Sequence, residues 1–390
     1  MENAKLLDLL KKYTMIIVLV LVTLFFTIKT GGNMLLPQNV NNLIAQNAYV
    51  FILATGMLLC ILTGGNIDLS IGSIICFVGA VGGHLMVNLK VSPTLAIVAM
   101  LVVGILIGAW QGFWIAYIRI PPFIVTLSGM LVFRGLSNVV LNGLTLAPMP
   151  ENYLVLFNSF IPDFFHGQFN GKPFNITCVL VGIIAVIIFI IVTMRGRMNK
   201  LEKGYQVPHL AGVLGKLFFV SLVILAFTFR LAQYKGLPSV LIWITVVVLV
   251  YGYITSKTTT GRYFYAVGGN EKATALSGID TNRVYFIAYL NMGFLSGVAA
   301  LVTIARLNSA NPTAGTNYEM DAIGSCFIGG ASAYGGIGTV PGVIIGAILM
   351  GVINLGMFIM GVDANYQKVV KGLVLLGAVI FDVVTKRKSS

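Results

Sequence analysis

Long apolar runs, each ended by a short polar or glycine-rich link, recur from one end of the chain to the other. Runs near the ~20 residues that a helix needs to cross hydrocarbon fall at 14–28, 43–63, 71–89, 94–117, 123–142, 176–194, 213–231, 239–256, 284–306, 341–361 and 366–384, with a shorter one at 321–338. The pattern predicts about twelve transmembrane helices. No stretch is long and polar enough to fold as a separate soluble domain, so residues 1–390 read as one all-α, polytopic helical membrane domain. The 321–338 run is short and rich in glycine. It is expected either to cross or to form a broken or re-entrant helix packed inside protein.

Composition strengthens this reading. Of 390 residues, 57% are hydrophobic and 9% are charged, with mean hydropathy +0.94, whereas a soluble domain carries roughly a quarter charged residues. A net charge of +13 could suggest nucleic acid. The bases instead cluster between spans: Lys5, Lys11 and Lys12; Arg195, Arg197, Lys200 and Lys203; Lys257, Arg262, Lys272 and Arg283; Lys386 to Lys388. That is the signature of cytoplasmic loops, and it argues against a nucleic-acid partner. Alternation from an inside N-terminus places both termini in the cytoplasm, makes 143–175 the longest external loop and puts 257–283 inside. Residues 1–28 have the basic and apolar regions of a signal peptide but no small-residue cleavage site, so an uncleaved first helix is expected.

Candidate chemistry is sparse. Cys60, Cys76, Cys178 and Cys326 lie in apolar stretches without CxxC spacing and read as small buried hydrophobes. His84, His166 and His209 are scattered, and no metal or Ser-His-Asp constellation stands out. "GVLGKLF" (212–218) lacks the spacing and the Ser/Thr of a Walker A loop, so no nucleotide or other cofactor is expected on this chain. Gly336, Gly338 and Gly342 have GxGxxxG spacing, with no βαβ unit around them; Gly342, Gly346 and Gly351 read as a thin helix face for close packing. Asn175-Ile176-Thr177 is a glycosylation sequon only formally, since it abuts a span. Trp110, Trp114 and Tyr117 precede Arg119 as an interfacial aromatic belt.

Acids and amides at bilayer depth are costly and mark a pathway or an interhelical pair. Asp68 in "LTGGNIDLSIGS" (62–73), with Asn66 and Ser70 and flanked by Gly64, Gly65 and Gly72, suggests an unwound link between two helices. Asp68 then serves either as the cap of the following helix or as a transport residue. Arg134, Asn291, Glu319, Asp321 and Asn354 carry the same two readings, a translocation path or a structural pair. One polar, small-residue segment stands apart, "GRYFYAVGGNEKATALSGIDTNR" (261–283). It reads as an ordinary solvated loop or as a contact for another protein.

"GMLLCILTGGNIDLSIGSIICFVGAVGG" (56–83), "IGAWQGFWIAYIRIPPFIVTLSGMLVFRGL" (107–136), "GRYFYAVGGNEKATALSGI" (261–279) and the 319–358 region together resemble the permease subunits of bacterial monosaccharide ABC importers, most of all the multiple-monosaccharide and xylose permeases. The resemblance covers nearly the whole chain. It implies a type II-importer-like permease in the bacterial cytoplasmic membrane, working with a cytoplasmic ATPase subunit that holds ATP and Mg, an extracytoplasmic sugar-binding protein and a second permease copy. It makes 261–283 the coupling segment that docks on the ATPase. There Gly268 and Gly269, before Asn270, would let the backbone turn, Glu271 and Lys272 would set polar register, and Ala273, Ala275, Ser277 and Gly278 would form a thin contact face. Ribose-type members have about ten spans, so the region 196–238 reads as an insertion carrying extra crossings. The competing expectations are an ion-coupled secondary sugar carrier and an ABC permease for a nucleoside or another small polar metabolite.

Overall fold

Helix boundaries follow local signals that the sequence supplies. The computed structural model describes residues 2–207 and 209–387, with side chains from Thr14 onward except at 381 and 385–387. The side chains of Lys5, Lys11, Lys12, Lys386 and Arg387, and all of Lys388, on which the expected sidedness leans, lie outside the described residues. In chain order the helices are α1 (Glu2–Lys29), α2 (Pro37–Leu62), α3 (Ile71–Gly83), α4 (Pro93–Ala116), α5 (Pro122–Leu141), α6 (Glu151–Phe157), α7 (Ile176–Glu202), α8 (Leu210–Ala232), α9 (Val240–Lys257), α10 (Thr259–Gly269), α11 (Glu271–Leu276), α12 (Thr281–Leu307), α13 (Tyr318–Ile328), α14 (Val340–Ile359) and α15 (Ala364–Arg387). A single antiparallel hairpin, β1 (Gly167–Phe169) with β2 (Lys172–Phe174), is the only sheet among the described residues.

Proline opens α4 and α5 at their first position, where its missing N–H leaves no bond unmade. Asn175, Thr258, Asn270, Asp280 and Thr339 each accept a backbone N–H three residues on and so cap α7, α10, α11, α12 and α14. The sequon residue Asn175 is thereby engaged, its Oδ1 2.8 Å from the Cys178 amide. Asn142 and Asn308, both with φ 50°, close α5 and α12 in left-handed turns.

Eleven of the twelve apolar runs lie along helices. Among the described residues eight helices are each long and apolar enough to cross a bilayer, α3 counted with its helical continuation to Asn88, and a ninth span forms if the two parts of α2, bent by 41° between Gln46 and Ala48, count together. The 321–338 run is not one helix. Helix α13 stops at Ile328 after 11 residues, about 16 Å of rise, and an irregular glycine-rich link leads to α14. Every residue of α13 from Asp321 to Ile328 is buried, whereas the irregular link after it exposes Gly330, Tyr334 and Ile337.

Contacts divide the chain into two units. The first comprises Met1–Met34, Leu43–Asn158 and Val240–Ser390; its centre is α12, 78% of whose spanning window is buried. Glycines let α4 lie directly on it. A Cβ at Gly108 would sit 2.6 Å from the Tyr289 carbonyl oxygen, and one at Gly104 would sit 2.7 Å from the Gly293 carbonyl oxygen. Likewise Gly342 and Gly346 of α14 press on the backbone of Gly329 and Ser325, so this glycine face does serve close packing. The second unit, Leu35–Asn42 and Ser159–Ser239, contains β1, β2 and the antiparallel pair α7–α8. The amide of Asn175 bonds the Ala232 carbonyl at 3.0 Å, joining the start of α7 to the end of α8.

Candidate functional site

Three glycine-rich segments far apart in sequence converge in the first unit. The link 63–70 after α2 and the link 329–339 after α13 touch through backbone. The Gly336 amide donates to the Leu62 carbonyl at 3.0 Å, a Cβ on Gly335 would lie 2.5 Å from the Gly64 Cα, and one on Gly65 would overlap the Ala333 carbonyl. The end of α10 is the third member. Gly268 has no room for a side chain between the Leu62 carbonyl and the Gly336 amide, while Tyr265 donates its hydroxyl to the Gly338 carbonyl at 2.8 Å. Gly269 has open space around it, and neither Gly268 nor Gly269 turns the chain. The break between α10 and α11 is made at Asn270, in extended conformation, and the exit from α11 at Gly278, with φ 83°. At Gly268 the requirement is close approach.

Helix α11 is held on one side only. Glu271 meets the Arg119 guanidinium at 2.7 Å and accepts from the Tyr285 hydroxyl at 3.1 Å. Partial desolvation pushes its carboxyl up, but Arg119 outweighs this, with Tyr285 and Thr281 adding to it, and the carboxyl stays below its usual range. Thr274 is buried. Lys272, Ala273, Ala275, Ser277 and Gly278 are exposed, and Leu276 is 90% exposed. Glu271 therefore spends its charge inside the chain, and the exposed side carries the small residues Ala273, Ala275, Ser277 and Gly278, one base, Lys272, and one protruding leucine.

Asp68 lies fully buried within the first link. Its Oδ1 accepts from the Ser70 amide at 2.8 Å and the Ser70 hydroxyl at 2.6 Å, and Gln111 of α4 donates to the same hydroxyl at 2.6 Å. The cap position of α3 belongs to Ser70; Asp68 orders the residue that precedes the helix. Asn66, half-buried, reaches back toward Thr63, with Nδ2 3.4 Å from the hydroxyl.

A second polar knot surrounds Asp321 on α13. Tyr49 of α2 donates to the carboxylate at 2.6 Å, and the Lys371 ammonium of α15 lies 2.9 Å away. Asn354 of α14 reaches both this carboxylate, at 3.5 Å, and Asn47, at 3.2 Å. Asn47 is where α2 bends. Four helices thus meet on one buried acid.

The remaining candidates stand apart from these clusters. Arg134 of α5 donates to the carbonyls of Pro312 and Ala314, at 3.1 and 2.7 Å, and so holds the link before α13. Glu319 lies over Gly72, where a Cβ would be 2.5 Å from its Oε2. Asn291 of α12 accepts from the Tyr251 hydroxyl of α9 at 2.7 Å. Asn291 thus links α12 to α9, while Arg134 fastens a loop. The sequence reading missed Gln111, Tyr49, Lys371, Arg119 and Leu276. Lys371 carried a signal, being a lysine inside a predicted span; the others are ordinary residues until their neighbours are known.

In the second unit, residues 159–175 form a cavity of about 540 Å³ lined by Phe160, Asp163, His166, Gln168, Tyr234 and Lys235. Asp163 organises it. Desolvation pushes its carboxyl up, but hydrogen bonds from Thr177, Phe165 and Gly167 reverse that and hold it down at about 2. Among the described residues no group of three or more His, Cys, Asp or Glu is placed to hold a metal ion, and the four cysteines are buried free thiols.

A family model for the "Branched-chain amino acid transport system / permease component" matches residues 39–198 and 168–379. The chain is 36% identical over 380 residues to the xylose transport system permease protein XylH of Escherichia coli (strain K12), spanning 97% of this chain and 93% of that protein. It is 34% identical to XylH of Haemophilus influenzae, over 97% of this chain and 98% of that one. The ribose import permease protein RbsC of Bacillus subtilis (strain 168) is 33% identical, over 89% and 85%. No solved structure matches the chain.

Proposed function

The chain belongs to the branched-chain amino acid transport system permease family, and we propose that it is the multi-pass membrane subunit of an ATP-driven importer that carries a monosaccharide into the bacterial cytoplasm. Its relatives at 33–36% identity are a xylose and a ribose permease, matched along nearly their whole lengths. That a xylose and a ribose permease match this chain almost equally, at 36% and 33% identity, supports a pentose-type cargo class rather than one sugar. The chain moves substrate and leaves ATP and magnesium to a separate ATPase subunit.

The observation that carries the reading is the position of α11. Its inner side is fastened by Glu271 and Thr274, its outer side offers Ala273, Ala275, Leu276 and Ser277, and α10, directly before it, abuts both glycine links at Gly268. A displacement of α11 by a docked ATPase therefore bears at once on the links that lead to α3 and α14. On this reading α11 faces the cytoplasm with both termini, residues 143–175 face outward to receive the binding protein, and a second copy completes the pathway by the common preference for two-fold assembly. The ATPase gains differential affinity between the two states from nucleotide, and that difference drives the exchange.

Uptake of labelled xylose and ribose, with the proton gradient collapsed at maintained ATP, tests the proposal in cells expressing the chain and its ATPase subunit. Wild-type uptake is expected to survive the uncoupler and to be lost in Leu276→Asp at equal membrane abundance. Uptake that vanishes with the gradient and ignores Leu276→Asp would overturn it.

A further inference from the structure

Helix α7 outruns the membrane. Residues 176–194 contain no charged side chain and span roughly 28 Å of helix, close to the ~30 Å hydrocarbon thickness. The helix continues without a break to Glu202, adding about 12 Å, which carries Arg195–Glu202 through the headgroup layer. This extension is amphipathic. Arg197 and Lys200 lie three apart on one face, and Met198 and Leu201, exposed by 55% and 51%, lie three apart on the next. Lys203 follows the helix, and Tyr205 is 64% exposed just beyond it. Helix α8 returns with exposed Lys216 as its last charge before the apolar residues 217–229. Between 195 and 216 there are five Lys or Arg and one Glu.

We propose that this end of the α7–α8 pair is a binding surface for anionic phospholipid headgroups. The inference goes beyond transport and needs only that α7 spans a bilayer. Once it does, Arg195 stands at phosphate level, because nineteen uncharged residues fix the depth of the first base, and Lys200 and Lys203, about 8 and 12 Å further along, reach back toward the same layer along their stems. Exposed Met198 lies about 5 Å beyond Arg195, next to the acyl–headgroup boundary, and Leu201 and Tyr205, whose amide returns to the Lys200 carbonyl at 2.9 Å, fall in the headgroup layer, where an aromatic ring with a polar tip settles. Lys and Arg stems lie along apolar surface while their heads reach phosphates. A soluble partner would leave the apolar row to find its own groove, whereas the bilayer is already in place and supplies both chemistries. The function of the site is to anchor the second unit's helices at fixed depth and to make the transporter sensitive to the membrane's anionic lipid content.

The test uses the full chain purified in micelles doped with equal phosphatidylglycerol and phosphatidylcholine, with retained lipids counted by native mass spectrometry. Wild type is expected to retain phosphatidylglycerol preferentially and to lose the preference as salt rises. The triple variant Arg195→Gln, Lys200→Gln, Lys203→Gln should lower it by on the order of a hundredfold, about fivefold for each charge. The charge-keeping triple Arg195→Lys, Lys200→Arg, Lys203→Arg should retain it, which separates loss of charge from loss of fold. No preference in wild type, or the same preference in the glutamine variant, would overturn the proposal. So would a glutamine variant that keeps its lipid but no longer co-purifies with the ATPase subunit, since the surface would then be a protein contact.

Discussion

The α4–α12 crossing and the α7–α8 pair are built from the same apolar alphabet but present it to different surroundings. Along α12, 78% of the spanning window is buried; along α7 and α8 the figures are 17% and 6%. The buried helix is the one interrupted by Gly293, Gly297, Ser296 and Tyr289, while α7 offers Ile183, Ile184, Ile187, Ile188 and Ile191 outward. A soluble protein would reverse the order. In lipid no hydrophobic force drives one apolar helix onto another, so contact comes from small residues that bring backbones together and from polar ties. Apolar bulk marks the face that needs no protein partner.

Glycine separates the two regions most sharply. At the crossing, Gly108→Leu would drive a side chain into the Tyr289 and Leu290 carbonyls. Overpacking usually costs ~1–3 kcal/mol, and here the obstruction is backbone, which has no rotamer to give. The expected outcome is loss of folded transporter, read by fluorescence-detected size exclusion. A monodisperse peak at wild-type thermal midpoint would mean that the crossing is looser than its geometry shows.

Next in size is the buried acid. Lys371→Met leaves Asp321 unpaired among Tyr49 and Asn354, and breaking a buried pair from one side costs about 3–5 kcal/mol. The double variant Asp321→Asn, Lys371→Met should recover most of that loss, because two apolar or neutral partners leave no stranded charge. Thermal midpoints of the two singles and the double form the cycle that decides it. Purely additive effects would show that the two side chains do not depend on one another.

Much of the architecture was legible in the sequence. Eleven of the twelve apolar runs lie along helices, the Gly342–Gly346 face packs as its spacing suggested, and Asp68 is buried in a glycine-rich link as its neighbours implied. What stayed hidden was pairing. Gly104, Gly108 and Gly112 recur every four residues, but in a chain with 44 glycines spacing alone does not say which helix lies opposite. Gln111 meets Ser70 across 41 positions and Lys371 meets Asp321 across 50, separations no periodicity encodes. The end of the short span at Ile328 was hidden too, since glycine permits both a helix and the turn that ends one.

A smaller effect concerns the anchor of α11. The folded carboxyl of Glu271 titrates below its ordinary 4.5, so its stabilisation is complete above that value and is lost as pH falls through the lowered one. Glu271→Gln should therefore cost a constant amount from about pH 8 to about pH 6, within the ~0.2–1 kcal/mol of a solvent-screened pair, and the difference from wild type should shrink below pH 4.5. Thermal midpoints against pH measure it. A gap that widens on acidification would mean that Arg119 does not hold the charged form.

The least effect is expected at Gly215 of α8, and it completes the contrast with Gly108. Nothing lies within 4 Å of a Cβ built there, and an exposed glycine inside a helix is ~1 kcal/mol less favourable than alanine. Gly215→Leu should leave the protein folded with an unchanged or slightly higher midpoint, since leucine is a good helix former and lipid accepts its side chain. The same substitution thus abolishes folding on one apolar helix and passes unnoticed on another. A large loss at Gly215 would mean that this face of α8 is covered by protein, and the first surface to examine would then be that of a second copy.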